Sequence, residues 1–177
     1  DRDGRDPKIG QMEQTRVSHG SQCRAHLGDE PHRAEPSQAA VIGRTLAGME
    51  PWKTLGYGAE GLARGLASPH PDLTRYLAMR GEEVQGLVVV RYPWLRGAYI
   101  ELFAVLPGAQ GQGIGRAILE FIESSYQGRT ANLWLLVSGF NAGARRFYAQ
   151  RGFHQIGIIE NLVAQGQDEV LLRKVIG

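Results

Sequence analysis

LFAVLPGAQGQGIGRAILEFIESSY, from Leu102 to Tyr126, reads as a buried strand that runs through a glycine-rich turn into a helix. Tyr99 to Val105 mixes aromatic and branched apolar residues as strands do, and Pro107 with Gly108 ends the strand. From Ile114 onward, Ile114, Ile118, Phe121 and Ile122 recur at helical spacing, with Arg116, Glu120 and Glu123 on the opposite side. The turn between them is a helix N-terminus built from small and polar residues. Its unpaired N–H groups and the positive end of the helix dipole suit an anion, and Gly111, Gly113 and Gly115 let a phosphate approach the main chain with no Cβ in the way. Two common phosphate loops do not fit. The dinucleotide pattern G-x-G-x-x-G meets Arg116 or Ile118 where its third glycine belongs, and the nucleoside-triphosphate loop meets Ile114 where it needs lysine.

Working outward, a helix starts at Pro36-Ser37, with Ser37 as its cap and Ala39, Ile42, Leu46 and Met49 as its apolar face, and Pro51 ends it. Trp52 and Tyr57 follow in a loop, and a second helix carries Ala59, Leu62, Ala63 and Leu66. Asp72 to Met79 is expected as a strand, Arg80 to Glu82 as its turn, and Val84 to Tyr92 as a strand buried on both faces. Beyond the central helix come a strand at Leu133 to Val137, a helix capped by Asn141 and stopped at Gly152, and two last strands, Phe153 to Ile159 and Glu169 to Val175.

With 177 residues the chain is long enough for one domain with its own core. A net charge of +2 gives no reason to expect nucleic acid or an anionic membrane as partner. Cys23 is the only cysteine, which excludes an internal disulfide and a cysteine zinc cluster, and His19, His26 and His32 lack ligand spacing, so no metal is expected. No apolar run approaches a membrane span, and a cytoplasmic setting is expected. Residues 1–36 are rich in Asp, Arg, Gln, Gly and His with isolated apolar residues, and are expected as a disordered tail or vector-derived segment with at most a short first strand near Cys23 to Leu27. The folded domain is expected over 37–177.

Two blocks carry a resemblance. Gln110-Gly111-Gln112-Gly113-Ile114-Gly115 fits the pyrophosphate pattern Q/R-x-x-G-x-G/A after a strand ending in Ala104-Val105-Leu106-Pro107, and Asn141 to Phe153 fits N-x-x-A-x-x-F-Y-x-x-x-G-F position for position. The chain resembles the GNAT superfamily of acetyl-CoA-dependent N-acetyltransferases, here of the bacterial single-domain type. The resemblance implies an α/β fold with a central mixed, mostly antiparallel sheet of six to seven strands and helices on both faces. It also implies acetyl-CoA as co-substrate and an amine, on a small molecule, peptide or protein, as acceptor, with a homodimer left open. Main-chain groups of Phe103, Ala104 and Val105 are then expected to pair with the pantetheine arm as an added strand. Gln110, Gly111, Gln112, Gly113, Ile114, Gly115 and Arg116 are expected to hold the pyrophosphate, and Asn141 to contact the cofactor.

Acyl transfer from a thioester needs a polarised carbonyl, a proton for the departing thiolate and an uncharged amine. By the resemblance, Tyr148 lends that proton; the alternative places it in a core stripe with Ala144 and Phe147. The resemblance to enzymes that acetylate ribosomal-protein N-termini fails at one point, because the glutamate they carry five residues before the asparagine is Leu136 here. Glu101 is the remaining candidate base, sharing side-chain parity with Phe103 and Val105 if no bulge intervenes; pairing with Arg91 is the alternative. Tyr99 is a candidate water relay. Trp52, Tyr57, Tyr92 and Trp94 are candidate acceptor walls or else core aromatics. A non-catalytic acyl-CoA sensor or assembly module is the other function class.

Overall fold

The computed structural model describes residues 26–27 and 36–177. Cys23, His19, His32 and the other residues of the expected tail, apart from His26, Leu27 and Pro36, lie outside the described residues. Helix α1 (Pro36–Ala47) begins one residue earlier than expected, so Ser37 stands inside its first turn, and proline opens it where a missing N–H costs nothing. Ala39, Ile42 and Leu46 are buried beneath it. Helix α2 (Ala59–Ala67) buries Leu62 and Leu66 and crosses α1 at Gly43. A Cβ on Gly43 would lie 2.6 Å from the Ala59 carbonyl oxygen and 2.9 Å from the Ala63 nitrogen, so only glycine permits the two backbones to meet. Gly43→Val is expected to overpack the crossing at a cost of about 1–3 kcal/mol and to lower Tm by several degrees in a thermal melt; an unchanged Tm would show that the helices are free to separate.

The strands are β1 (His26–Leu27), β2 (Leu73–Arg80), β3 (Glu83–Trp94), β4 (Gly97–Val105), β5 (Asn132–Ser138), β6 (His154–Ala164) and β7 (Gln167–Val175). They form one sheet in the order β1-β2-β3-β4-β5-β7-β6, antiparallel throughout except for the parallel pair β4–β5. Helices α3 (Ile114–Tyr126) and α4 (Ala142–Ala149) cover one face, where Ile114, Ile118 and Ile122 pack on Val88, Val90, Ile100, Leu133 and Leu135. The α1–α2 pair covers the other face over Leu77, Leu87, Val89 and Ala104. With both faces covered, β3 needs no polar side, which is why its sequence runs Leu87-Val88-Val89-Val90 without alternation. The α/β sheet with helices on both faces is the fold class the sequence led to.

Two irregularities shape the site. Val90 pairs with Ile100 but Val89 pairs with Leu102, so Glu101 is the extra residue of a β-bulge. The parity that would have set Glu101 beside Phe103 and Val105 is broken there: Ile100 and Phe103, three apart, both pack into the α3–α4 face. Meanwhile the parallel ladder joins only Ala98 to Ile100 with Leu133 to Leu135. Past Ile100 the two strands part, and the edge of β4 turned away from β3 has no strand partner among the described residues.

Candidate active site

The parting of β4 and β5 opens a cleft of ≈ 720 Å³. Phe103, Ala104 and Val105 line one side and the glycine turn closes one end through Gln110, Gly111, Gly113, Ile114, Gly115 and Arg116. Gly113 caps α3 at φ 82°, and both Gly111 at φ 74° and Gly113 have open space where a Cβ would stand. Their N–H groups stand at and just before a helix start with no Cβ in the way, the kind of cradle an anion needs. Gly115 has a second role, since a Cβ there would lie 3.3 Å from the Phe147 ring and 3.4 Å from Val105, so its smallness seats α3 against α4. Gln112, expected among the phosphate-holding residues, does not line the cleft: its amide donates to the Gly108 carbonyl and its oxygen accepts from Arg80 Nη2 at 2.6 Å, tying the turn to the end of β2. Arg151, which the sequence reading passed over, lines the cleft with its guanidinium 5.5 Å from the Phe147 ring centroid. Arg116, held by Glu120 at 2.6 Å, is the other cation of this wall.

Asn141 caps α4 by accepting from the Ala144 N–H at 3.1 Å, as its place in the sequence led us to expect. Tyr148 is 7 % exposed and packs edge-on against Phe103, Phe147 and Phe153, so the core-stripe alternative and a place in the site hold together. Burial pushes its phenol above the ordinary value, which keeps the proton on the oxygen at neutral pH. Among the described residues nothing hydrogen-bonds that hydroxyl.

On the face covered by α1 and α2, a smaller cavity of ≈ 160 Å³ is lined by Trp52, Tyr57, Tyr99, Glu101, Ser138 and Glu169, among others. Pro51, Trp52, Phe103, Asn141, Ala144 and Tyr148 line both this cavity and the cleft, so the two meet at Tyr148. Glu101 does reach the cavity, but its Oε2 accepts from Arg91 Nε and Nη2, each at 2.8 Å, the ion pair foreseen as the alternative to a base. Tyr92 and Trp94 line neither the cleft nor this cavity. Tyr92 lies on the α3 face, where its ring meets Tyr126 at 5.4 Å and its hydroxyl donates to the Arg129 carbonyl at 3.1 Å. Trp94 sits behind Tyr99, 4.7 Å between ring centroids, and leans on Trp134. Burial, then the charges of Glu101 and Glu169, push the Tyr99 phenol up to about 12.

Glu169, which the sequence reading did not single out, lines this cavity. It opens the last apolar strand in sequence, the one signal available, but its partner Ser138 is on β5, and only the β5–β7 register sets the two opposite each other. Among the described residues no helix is long and apolar enough to cross a membrane, and no cluster of His, Cys, Asp and Glu could hold a metal ion.

The Acetyltransferase (GNAT) family matches residues 43–153, more than half of the chain. An uncharacterized N-acetyltransferase of Methanocaldococcus jannaschii is 32 % identical over 116 residues, covering 64 % of this chain and 72 % of that protein. The ribosomal-protein-S18-alanine N-acetyltransferase of Escherichia coli shares the fold at TM-score 0.67 and 21 % identity, over 82 % of this chain and 92 % of that one. An aminoglycoside 6′-N-acetyltransferase complexed with coenzyme A shares it at TM-score 0.69 and 15 % identity, over 86 % and 96 % of the two chains. By this match, and with a sheet splayed beside a glycine-headed helix, the chain belongs to the acetyltransferase (GNAT) family and is an acyltransferase.

Proposed function

We propose that the chain moves an acetyl group from acetyl-CoA to a primary amine by direct attack, with donor and acceptor bound together. The observation that carries this is the junction at Tyr148, where a cleft fit for a strand-like, phosphate-ended molecule meets a cavity holding a carboxylate. Acetyl-CoA supplies an activated acetyl thioester. The residues present fit it: the unpaired edge of β4 offers main-chain groups to an extended amide-bearing arm, the Gly111–Gly113 turn offers N–H groups to phosphate, and Arg116 and Arg151 add positive charge. Asn141 fixes the start of α4 and thereby sets Tyr148, two turns on, at the opening. Tyr148 keeps its proton until a thiolate demands it. Tyr99 and Trp52 supply the ring walls of the acceptor cavity and Tyr57 its exposed rim.

Calorimetry with acetyl-CoA, followed by coenzyme A release in the presence of an amine panel, tests this reading. Binding and amine-dependent release are expected. Binding with no release from any amine would favour an acyl-CoA sensor. Residues 37–177 are the catalytic domain in this reading; of the described residues before Pro36, His26 and Leu27 pair with Met79 and Ala78. A chain starting at Pro36 is expected to melt cooperatively within a few degrees of the full chain; aggregation would show that the removed segment completes the sheet.

A further inference from the structure

We infer that Glu169 is the proton acceptor for the attacking amine, and that its cavity selects a primary ammonium on an apolar stem with no carboxylate beside it. This rests on the acetyl-transfer reading. Glu169 is 5 % exposed, yet one side of its carboxylate is free: Oε1 accepts from the Ser138 hydroxyl at 2.7 Å, and among the described residues nothing hydrogen-bonds Oε2. A buried carboxylate with an open oxygen needs either a proton or a cation. It lines the acceptor cavity, which opens onto the cleft past Tyr148.

The neighbouring charges agree. β4 brings Tyr99 and Glu101, with Glu101 already joined to Arg91 of β3; the loop after α1 brings Tyr57 and α4 brings Tyr148. β5 contributes the uncharged Ser138, β6 sets Ile159 opposite Glu169, and Arg145 of α4 is turned to the Gly139 carbonyl. Glu169 is thus the one carboxylate of this cavity without a cation among the described residues. An incoming ammonium supplies that cation. A carboxylate on the amine-bearing carbon would instead face Glu169 with Arg91 already engaged, and Trp52, Leu55, Tyr57 and Val163 favour an apolar stem.

The protons balance. Glu169 Oε2 takes one from the ammonium, the nitrogen lone pair bonds to the acetyl carbon, the carbon–sulfur bond breaks, and Tyr148 gives its proton to the sulfur. Of the ammonium's three protons, one stays on the amide, one passes through Glu169 to water, and one restores Tyr148. Burial raises the Glu169 carboxyl above its ordinary range and the Ser138 hydroxyl partly offsets this, so the carboxylate is a stronger base than an exposed one.

The test uses n-butylamine and norvaline, which is the same amine with a carboxylate on its nitrogen-bearing carbon. Wild type is expected to acetylate butylamine at least about tenfold faster. Glu169→Gln keeps the oxygen that accepts from Ser138; it should lose roughly 10²-fold in kcat/KM at neutral pH and recover in part at high pH, where free amine accumulates. Carboxyl NMR gives a readout apart from turnover: the Glu169 carboxyl should titrate at the acid limb of the wild-type profile, and Ser138→Ala, by removing a bond to the charged form, should move both upward together. Four results overturn the inference: a Glu169→Gln profile parallel to wild type, norvaline matching butylamine, a limb that Ser138→Ala leaves in place, or Glu101→Gln flattening the profile in its stead. A chain that binds acetyl-CoA yet acetylates neither amine refutes the acceptor class. One that does not bind acetyl-CoA refutes the transfer reading itself.

Discussion

Gly113→Glu is expected to abolish measurable acetyl-CoA binding while the chain stays folded. Gly113 caps α3 at φ 82°, a conformation that costs a residue with a Cβ about 1–2 kcal/mol, and its Cβ would point into open space and not into the core. The fold therefore loses little. The cradle loses more, since a carboxylate beside the helix start repels a pyrophosphate and competes for the same N–H groups. Two charge-assisted hydrogen bonds at about 1.5 kcal/mol each are roughly 3 kcal/mol, or about 10²-fold in affinity before repulsion is counted. Gly113→Ala separates the causes, because it carries the backbone strain without the charge and should bind far better than the glutamate variant. Calorimetry decides it: undiminished affinity in a folded Gly113→Glu protein would remove the turn from the cofactor site.

Tyr148→Phe should lower kcat by roughly 10²-fold and leave acetyl-CoA affinity within a few fold. The ring packs against Phe103, Phe147 and Phe153, and phenylalanine keeps those contacts, so the variant isolates the hydroxyl. Burial holds the phenol's proton in place, so wild-type activity should not fall through neutral pH from loss of this proton; any such fall belongs to another group. Unchanged turnover with a lowered Tm would return Tyr148 to the core alone.

The parts of the site legible in sequence are those built from local spacing. The strand, glycine turn and helix around Gly113 are contiguous, and Asn141 and Tyr148 ride on a single helix with its own cap. What escaped is set between strands. The bulge at Glu101 exists only in the register of β4 against β3, and nothing within Tyr99 to Val105 announces it. Tyr92 and Arg91 are adjacent in a strand covered on both faces, so composition gives no sign of which of them looks toward α3 and which toward Glu101. Glu169 and Ser138 meet through β7 pairing antiparallel to β5, 31 residues apart. Nothing within the first helix marks Gly43 as the point where α2 crosses it.

The proposed direct transfer at the junction, with Tyr148 as acid, has a kinetic signature that no single substitution supplies. Initial rates measured over a grid of acetyl-CoA and n-butylamine concentrations should give intersecting double-reciprocal lines, with no acetylated protein detected by mass spectrometry when acetyl-CoA is mixed with the chain alone. Parallel lines, together with an acetyl group trapped on the protein before amine is added, would contradict direct attack and place a covalent step between cleft and cavity.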